Sequence, residues 1–394
     1  MENMAASILN RQGPRKLKLE KVEALEALKF SFGDNKSVSP LFAHQNFKVE
    51  KIEFPEELLP LEIPINIDPY TLKVKSIDFV HEESSMPKSS ALDKVKGVIK
   101  ARILKAHFGA ENKPAVAYSH DDSPDPQPDH VFNLTCSSGD TLKVEQYSGG
   151  WKSFPTWRRA EWLMLFFVDA ASQVDADTDE KWEILIGRDS TGKIACLASI
   201  FNFPTFGKPE PITRRQRLAQ FVTLPCSWGK GYGEALVTFL HERAMQDESV
   251  DKLTMEDPSE GMFNLRDVVV IRLGLKRGLI ANDCLKTKTW PKPKVWQKLK
   301  IPYVAARRVC EALQVGAAED GEKSADPDFA PLTDLRSLVK QRIKRMLDDC
   351  DGYPEEVDAI EDAPEKEEAQ GEYIQEEWES FVDSSLRTIK KLFS

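Results

Sequence analysis

Cysteine is scarce in this sequence and is never paired at short spacing. The six cysteines lie far apart, and the chain contains neither a CxxC pair nor a histidine spacing typical of a zinc site. These absences argue against a disulfide-rich secreted domain and against a metal-binding motif. We therefore expect reduced thiols in a hydrophobic core and no metal.

Long apolar runs are missing as well. The longest, Trp162 to Val168, is far shorter than the ~20 residues that a bilayer-spanning helix needs. The N-terminal residues have neither the apolar core of a signal peptide nor the acid-poor composition of a transit peptide. The sequence therefore predicts no membrane association and a location in the cytoplasm or nucleus.

The composition is that of a globular chain, with an uneven distribution of charge. Of its 394 residues 41% are hydrophobic and 30% are charged, which indicates two or three domains. The net charge is −10, but residues 348 to 379 alone carry −14, so the remainder is mildly basic at +4. We predict a solvated, disordered acidic tail, and a segment that docks a basic partner is the alternative.

Residues 151–280 have the clearest periodicity. The segment TWRRAEWLMLFFVDAAS predicts a buried helix, and the runs WEILIG and KIACLASIFNF predict two strands joined by a hairpin turn at RDSTG. RLAQFVTLP predicts a third strand, which a glycine-rich turn joins to a helix ending near Met245. The strand KLTMED and a helix from about Pro258 follow. The predicted order is helix, three strands, helix, strand, helix.

The chain is divided accordingly into four regions. We predict a mixed α/β domain over residues 1–150, a mixed α/β core over 151–280 and a helical domain over 281–347. Residues 348–394 are predicted to form the acidic tail, with a short terminal helix.

Two glycine patterns resemble nucleotide-binding loops without matching them. GRDSTGKI joins two predicted strands and has Ile194 where a phosphate-binding loop needs a hydroxyl. The glycines of WGKGYG fail the dinucleotide pattern, because Glu234 occupies the position of its last glycine. Small residues between a strand and a helix do suit a pyrophosphate, since backbone N–H groups and the helix dipole face the anion. A tight connection without a ligand is the alternative.

Two segments carry a family resemblance, namely QFVTLPCSWGKGYG and LTMEDPSEGMFNLRD. They resemble the coenzyme and catalytic segments of the type B histone acetyltransferase catalytic subunits, which belong to the Gcn5-related N-acetyltransferase superfamily. Weaker similarity extends to PLFAHQNF, WLMLFFVDAASQVDADTDEKW and AARRVCEAL. The resemblance implies a Gcn5-related N-acetyltransferase core between an N-terminal α/β domain and a C-terminal helical domain.

The resemblance also implies acetyl-CoA as co-substrate. Backbone groups of Gln220, Phe221 and Val222 would face the acetyl-pantetheine arm. The pyrophosphate would be wrapped by the turn, which consists of Ser227, Trp228, Gly229, Lys230, Gly231, Tyr232 and Gly233. Because the superfamily usually has Gln or Arg where this chain has Trp228, we expect weaker coenzyme binding. The positions that match the histone-tail site are Ile200, Phe201 and Asn202.

Transfer to a lysine needs a proton acceptor, because a protonated amine cannot attack a thioester. Glu256 follows the strand after the coenzyme helix, where desolvation would raise the pKa of a carboxyl group toward working pH. Asp257 adjoins it, and the resemblance marks Asp169 as a further acid; an ordinary surface acid is the alternative for Glu256. Cys226 has no recognisable histidine partner in the sequence, and His241 is expected to be structural or exposed.

The sequence therefore predicts an acetyl-CoA-dependent histone acetyltransferase that transfers acetyl directly in a ternary complex. By resemblance, its substrate is the tail of free, newly made histone of the H-four type, with that histone's dimer partner. The resemblance also implies a WD-repeat histone chaperone of the retinoblastoma-binding kind, a nuclear and cytoplasmic location, and no direct DNA contact. A non-catalytic histone-binding protein and an acetyltransferase of other amines or proteins remain open alternatives.

Overall fold

The structure is a computed structural model in which two compact units are distinguished. It describes residues 19–33, 36–43, 51–55, 61–81, 90–104, 123–150, 154–169, 171–172, 174, 179–205, 213–284, 293–324, 332–350 and 353–393. The first unit consists of residues 1–203 and 217–236, and the second of residues 204–216 and 237–394.

The N-terminal part of the first unit contains two small sheets. Strand β1 pairs antiparallel with β4, and the second sheet has the order β3-β2-β5-β6, with β7 beside β5. The bounds are β1 Leu19–Glu23, α1 Ala24–Ala27, β2 Leu28–Ser31, β3 Ser37–Val38, β4 Lys51–Pro55, β5 Leu61–Ile67, β6 Val74–Ile77, β7 Val80–His81 and α2 Ser90–Leu104.

A larger sheet completes the first unit. Its order there is β12-β11-β10-β9-β8, with antiparallel pairing from β8 through β11. The bounds are β8 His130–Thr135, β9 Thr141–Ser148, α3 Pro155–Met164, β10 Trp182–Arg188, β11 Ile194–Pro204 and β12 Arg214–Thr223. Strand β12 begins in the second unit and belongs to the first from Arg217 onward.

The predicted hairpin between β10 and β11 is confirmed. The Asp189 side chain accepts hydrogen bonds from the backbone N–H groups of Thr191 and Lys193, at 2.9 and 3.0 Å. Gly192 has a φ of +87°, which glycine adopts without the strain that a side chain would cause. The sequence GRDSTGKI is therefore a strand-to-strand turn and not a phosphate loop.

One hydrophobic core connects the N-terminal sheets to α3. The Phe30 ring lies 4.9 Å from that of Phe166 and 6.3 Å from that of Trp162, and the Trp162 indole N–H donates to Ile103 O at 2.9 Å. Strand β9 also pairs with β10. The first unit therefore runs across position 150, where the predicted N-terminal domain ends.

The second unit is mainly helical. Its strand β13 neighbours the first residues of β12, where the Thr254 hydroxyl donates to Gln216 O at 3.1 Å. The bounds are α4 Tyr232–Gln246, which begins in the first unit, β13 Val250–Met255, α5 Glu260–Lys276, α6 Pro293–Lys298, α7 Tyr303–Ser324, α8 Leu332–Cys350, α9 Glu355–Asp358 and α10 Ala363–Phe393. Among the described residues, no helix has the length and apolar character of a membrane span.

The predicted order of elements in the core is confirmed. Helix α3 is followed by β10, β11 and β12, then by α4, β13 and α5. Both sheets and helices occur in the chain, so the predicted mixed α/β class is also confirmed.

Most of the predicted disordered tail is a single helix, α10, and the prediction of disorder is wrong for residues 363–393. Ile374, Trp378, Phe381 and Ile389 are each at most 8% exposed. These residues recur at helical spacing along α10, so one face of the helix packs against the rest of the second unit while its acids remain in water. Gly316 of α7 allows the closest approach, since a Cβ atom there would lie 2.7 Å from Ile389.

Two arginines anchor Phe381 of α10. The guanidinium carbons of Arg308 and Arg342 lie 5.0 and 5.6 Å from the centre of the Phe381 ring. Each arginine is also held by a buried acid, because Arg308 donates to Asp267 at 2.9 Å and Arg342 to Glu311 at 2.8 Å. Phe381 thus combines apolar burial with cation–π contacts.

We predict that Phe381→Ala lowers the free energy of unfolding by about 3–5 kcal/mol, because it removes a buried aromatic side chain and leaves a cavity. Urea denaturation followed by far-UV circular dichroism measures this loss. Asp383→Ala, at an exposed position of the same helix, is the control and should change stability by less than about 0.5 kcal/mol. Equal effects of the two substitutions would contradict the docking of α10.

His241 of α4 is buried at 1% exposure, in agreement with a structural role beside the apolar stripe of the helix. Burial lowers its pKa to about 4, and the nearby positive charge of Arg266 acts in the same direction. A histidine in an unfolded chain has a pKa of about 6.5. Below that pH the unfolded chain therefore takes up a proton that the folded protein rejects.

Stability should accordingly fall as the pH drops from about 6.5 to about 4, by about 3 kcal/mol at most from this residue. We predict that His241→Leu reduces this part of the pH dependence, as measured by urea denaturation at several pH values. His130→Leu, at an exposed position, should leave the pH dependence unchanged. A pH profile of His241→Leu that matches the unsubstituted protein would refute this explanation.

Candidate coenzyme and catalytic site

Backbone hydrogen bonds fix the conformation of the turn between β12 and α4. Leu224 leaves the strand and donates its N–H to Ala195 O of β11 at 2.9 Å. Residues Pro225–Ser227 then form a 3₁₀ turn, closed by the Ser227 N–H donating to Leu224 O at 2.8 Å. Proline suits the first position of such a turn because its φ is fixed and it has no N–H to satisfy.

Two glycines of the turn have left-handed backbones, with φ of +76° at Gly229 and +79° at Gly231. Their surroundings differ. A Cβ atom at Gly231 would lie 2.5 Å from the Ser137 hydroxyl oxygen, whereas one at Gly229 would have no atom within 4 Å. Gly231 is therefore needed both for its backbone conformation and for close contact with the β8–β9 turn.

The start of α4 presents backbone N–H groups without acceptors. The first N–H groups of a helix have no intrahelical partner. Among the described residues, none accepts from the backbone N–H groups of Gly229 to Gly233. The Ser138 hydroxyl holds the turn by donating to Lys230 O at 2.8 Å. A row of N–H donors at the positive end of a helix dipole fits a pyrophosphate.

Trp228 is the residue at which the family resemblance leads us to expect Gln or Arg. Its indole N–H donates to Thr223 O, the last carbonyl of β12, at 2.7 Å, and the side chain is 49% exposed. The side chain thus ties the turn back to the strand. The predicted weakening of coenzyme binding stays a prediction.

The three β12 residues predicted to face the pantetheine arm alternate in burial. Gln220 and Val222 are 7% exposed, and Phe221 between them is half-buried. The Gln220 amide donates from Nε2 to Ser172 O at 2.5 Å. Strand β12 is thereby linked to the segment after α3, which includes Asp169.

A second buried group holds the same segment. The Glu161 carboxylate of α3 accepts from Val174 N at 2.8 Å, from the Arg158 guanidinium at 2.8 Å and from the Trp157 indole at 3.0 Å. Burial raises the pKa of Glu161 to about 7 although all three donors favour the charged form. Asp169 is exposed at the surface of this segment.

The predicted histone-tail residues lie at the end of β11. Ile200 is fully buried, so only its backbone is available to a ligand. The Phe201 ring packs edge-on against Trp182 at 4.8 Å and against Phe203 at 4.5 Å. Asn202 donates from its backbone and side chain to Lys181 O, at 3.0 and 3.1 Å. The available surface is therefore aromatic, with an ordered polar edge.

Glu256 and Asp257 lie in the second unit, directly after β13, and both are exposed. The exposure of Glu256 gives no support to the expected desolvation of its carboxyl group. Asp257 has a φ of +31°, a strained conformation for a residue with a side chain. Strain of this kind clusters at functional sites. The turn ends at Ser259, which caps α5 by accepting from Met262 N at 3.3 Å.

Sequence reasoning missed three serines that hold the turn and the Asp169 segment in place. Ser137 and Ser138 contact the glycine turn, and Ser172 accepts from Gln220. Ser137 and Ser138 are more than ninety positions away from their partners in the chain. The small polar run TCSSGDT predicts a turn but carries no signal for its partner.

The chain is similar to known type B histone acetyltransferase catalytic subunits, which confirms the resemblance. It is 29% identical to that of Candida glabrata over 159 residues, which cover 38% of this chain and 40% of the relative. It is 26% identical to that of Rattus norvegicus over 174 residues (40% and 38%) and 32% identical to that of Mycosarcoma maydis over 133 residues (32% and 29%). The chain thus spans about two fifths or less of these relatives' length.

No protein-family model matches the chain. Among solved structures, a ribosomal-protein-alanine N-acetyltransferase from Brucella melitensis is 23% identical and covers 21% of this chain and 59% of its own. Its TM-score of 0.18 is too low to establish a shared fold.

The two left-handed glycines predict different effects of the same substitution. Gly231→Ala should lower the free energy of unfolding by more than Gly229→Ala, because both add strain at positive φ but only the first adds a clash with Ser137. Gly229→Ala should cost about 1 kcal/mol, and Gly231→Ala roughly 2 kcal/mol or more.

Urea denaturation of both variants measures the difference. The double variant Gly231→Ala with Ser137→Gly should recover part of the loss, because it removes the clashing hydroxyl. Equal losses in the two single variants, without recovery in the double variant, would mean that the β8–β9 turn does not constrain Gly231.

Proposed function

We propose that this protein is an acetyl-CoA-dependent N-acetyltransferase that acts on lysine side chains in histone tails. Because the matched region spans only part of its relatives, the activity, the substrate and the partners are all inferred. The relatives from Candida glabrata, Rattus norvegicus and Mycosarcoma maydis are named as type B histone acetyltransferase catalytic subunits, which supports both the reaction and the class of acceptor.

The observation that carries this proposal is the strand-turn-helix unit from β12 to α4. Its N–H groups from Gly229 to Gly233 have no acceptor among the described residues and lie at a helix N-terminus. The pyrophosphate of coenzyme A is an anion of suitable size for such a row of donors. The exposed Lys230 adds a positive charge to the same turn. The acetyl-pantetheine arm would then lie along Gln220, Phe221 and Val222.

The reaction is a single acyl transfer. The neutral lysine amine attacks the thioester carbonyl carbon, a C–N bond forms, the C–S bond breaks, and coenzyme A leaves as the thiol after taking up a proton. Before attack the ammonium group must lose a proton to a carboxylate. Glu256 is the proposed acceptor, with Asp257 and Asp169 as lesser acids. Cys226 contacts the Ser227 hydroxyl at 3.8 Å and is not needed as a nucleophile.

The strained backbone at Asp257 supports a functional role for this turn. A left-handed aspartate directly after Glu256 costs conformational energy that a simple strand-to-helix connection could avoid with glycine. An exposed Glu256 is also accessible to a protein substrate. Closure by coenzyme and peptide would supply the desolvation that raises the pKa of a general base.

The proposed acceptor is the N-terminal tail of free, newly synthesised histone of the H-four type, carried with its dimer partner. The acidic face of α10 is a candidate contact for basic histone, because opposite charges attract. The remainder of the chain is mildly basic and offers no such attraction. We further propose a WD-repeat histone chaperone of the retinoblastoma-binding kind as partner, no direct DNA contact, and activity in nucleus and cytoplasm. These assignments rest on the family resemblance.

We predict that Glu256→Gln lowers kcat by about 10²- to 10⁴-fold with little change in acetyl-CoA affinity, because the amide keeps the shape but accepts no proton. Steady-state transfer to a histone-tail peptide and calorimetry with acetyl-CoA measure the two quantities. Glu248→Gln, at an exposed position outside the turn, is the matched control and should leave both unchanged.

A normal kcat in Glu256→Gln together with a large loss in Asp169→Asn or Asp257→Asn would reassign the base. A failure of the unsubstituted protein to bind acetyl-CoA would instead favour a non-catalytic histone-binding protein. Preferential transfer to polyamines over the tail peptide would indicate an acetyltransferase of other amines.

A further inference from the structure

Gln220 is a buried polar side chain of the first unit with only one end of its amide hydrogen-bonded. It is 7% exposed, and its Nε2 atom donates to Ser172 O at 2.5 Å and lies 3.4 Å from the Ser172 hydroxyl. Its Oε1 atom is buried and accepts no hydrogen bond among the described residues. The Nε2 bond fixes the amide orientation, since a flipped amide would turn Oε1 toward a carbonyl oxygen.

A buried carbonyl without a donor is costly. Such a group forfeits about 1–3 kcal/mol relative to water, and most buried polar atoms in proteins have partners. Ser199 on the neighbouring strand β11 is fully buried, and its hydroxyl also has no partner among the described residues. The two atoms belong to adjacent strands, and a bound hydrogen-bond donor would supply the partner that Gln220 Oε1 lacks.

Both side chains project from the same face of the sheet. Side chains alternate along a strand, so Gln220 lies on the face of Val222, and Ser199 on the face of Leu197. Val222 and Leu197 both belong to the core cluster that includes α3. Phe201, two residues after Ser199, shares this face and is predicted to receive the histone tail. The unpartnered Gln220 oxygen therefore lies on the predicted substrate side.

We propose that Gln220 Oε1 binds the acceptor amine by accepting a hydrogen bond from the ε-amino group of the lysine to be acetylated. This inference rests on the proposed function and assigns a group in its acceptor site. The Nε2 atom of the same amide donates a hydrogen bond to Ser172 O and thereby positions the segment that includes Asp169. Gln220 itself takes no proton, and being neutral it does not stabilise the ammonium form as a carboxylate would.

A pantetheine amide is the other N–H donor that the proposed reaction supplies. The proposed path of that arm follows the main chain of Gln220 to Val222, which lies in the plane of the sheet. The Gln220 side chain stands out of that plane. The donor is therefore assigned to the acceptor lysine, and a separate measurement of acetyl-CoA affinity distinguishes the two sources.

The test compares two peptides and three proteins. A histone-tail peptide with one lysine and its norleucine counterpart, which keeps the methylenes but lacks the amine, are titrated into the full chain saturated with coenzyme A. The ratio of their dissociation constants isolates the contribution of the amine. Gln220→Met should reduce the preference for lysine about tenfold. Gln216→Met removes a buried glutamine on the same strand and face and should leave the ratio unchanged.

A ratio that stays the same in Gln220→Met, with normal acetyl-CoA affinity, overturns the proposal. Weaker acetyl-CoA binding with the same ratio also overturns it, because the oxygen would then serve the pantetheine amide. If Gln220→Met does not fold, Gln220→Asn keeps the amide but withdraws its oxygen by one methylene and should also reduce the preference for lysine; an unchanged preference in a variant that binds acetyl-CoA normally would refute the assignment. Absence of acetyl transfer by the unsubstituted protein to the lysine peptide would count against the proposed function itself.

Discussion

The left-handed backbone at Gly231 is the constraint on which the candidate coenzyme site depends. The β8–β9 turn comes so close that a Cβ atom at this position would lie 2.5 Å from the Ser137 hydroxyl oxygen. Because the chain turns sharply here, α4 can begin at Tyr232, and its first N–H groups have no intrahelical partner. The same turn places Trp228 where its indole can bond to the end of β12. The candidate anion site, the start of α4 and the end of β12 are therefore determined together.

The second unit is stabilised by a different kind of interaction. Its long acidic helix is held by an apolar stripe and by arginines that contact the Phe381 ring. Those arginines are paired with buried acids, so their charges are compensated where water is excluded. The acids of α10 itself lie at the surface. One segment can thus be part of a folded core and still present a strongly negative face.

Local sequence patterns were sufficient to predict most of the core but not its boundaries. Continuous apolar runs identify β10 and β11, which are buried on both faces, and alternating burial marks β12. Helical spacing and helix start signals identify α4 and α5. The high count of acids in α10 led to the wrong prediction of disorder. The helix contains few apolar residues, but Trp378 and Phe381 have the spacing of a buried stripe. The continuity across position 150 depends on pairs such as Phe30 with Trp162, whose separation in sequence leaves no local trace.

In the candidate site, too, local features could be predicted from the sequence and long-range contacts could not. The glycine turn and the acid after β13 are visible in the sequence because their backbone requirements or positions in a strand are local. The contacts of Ser137 and Ser172 could not be predicted, because they depend on tertiary packing. The orphaned oxygen of Gln220 is likewise invisible until its neighbours are known, since a glutamine in an alternating strand usually indicates an edge or a solvent-facing position.

Mass-spectrometric detection of acetyl transfer from acetyl-CoA to a panel of single-lysine histone-tail peptides, with spermidine as a competing acceptor, tests whether this fold performs the proposed reaction. The structure-based account predicts that one tail peptide of the H-four type gains a single acetyl group on its lysine, with stoichiometric release of coenzyme A and little acetylspermidine. Binding of acetyl-CoA without transfer to any peptide, or preferential acetylation of spermidine, would contradict it.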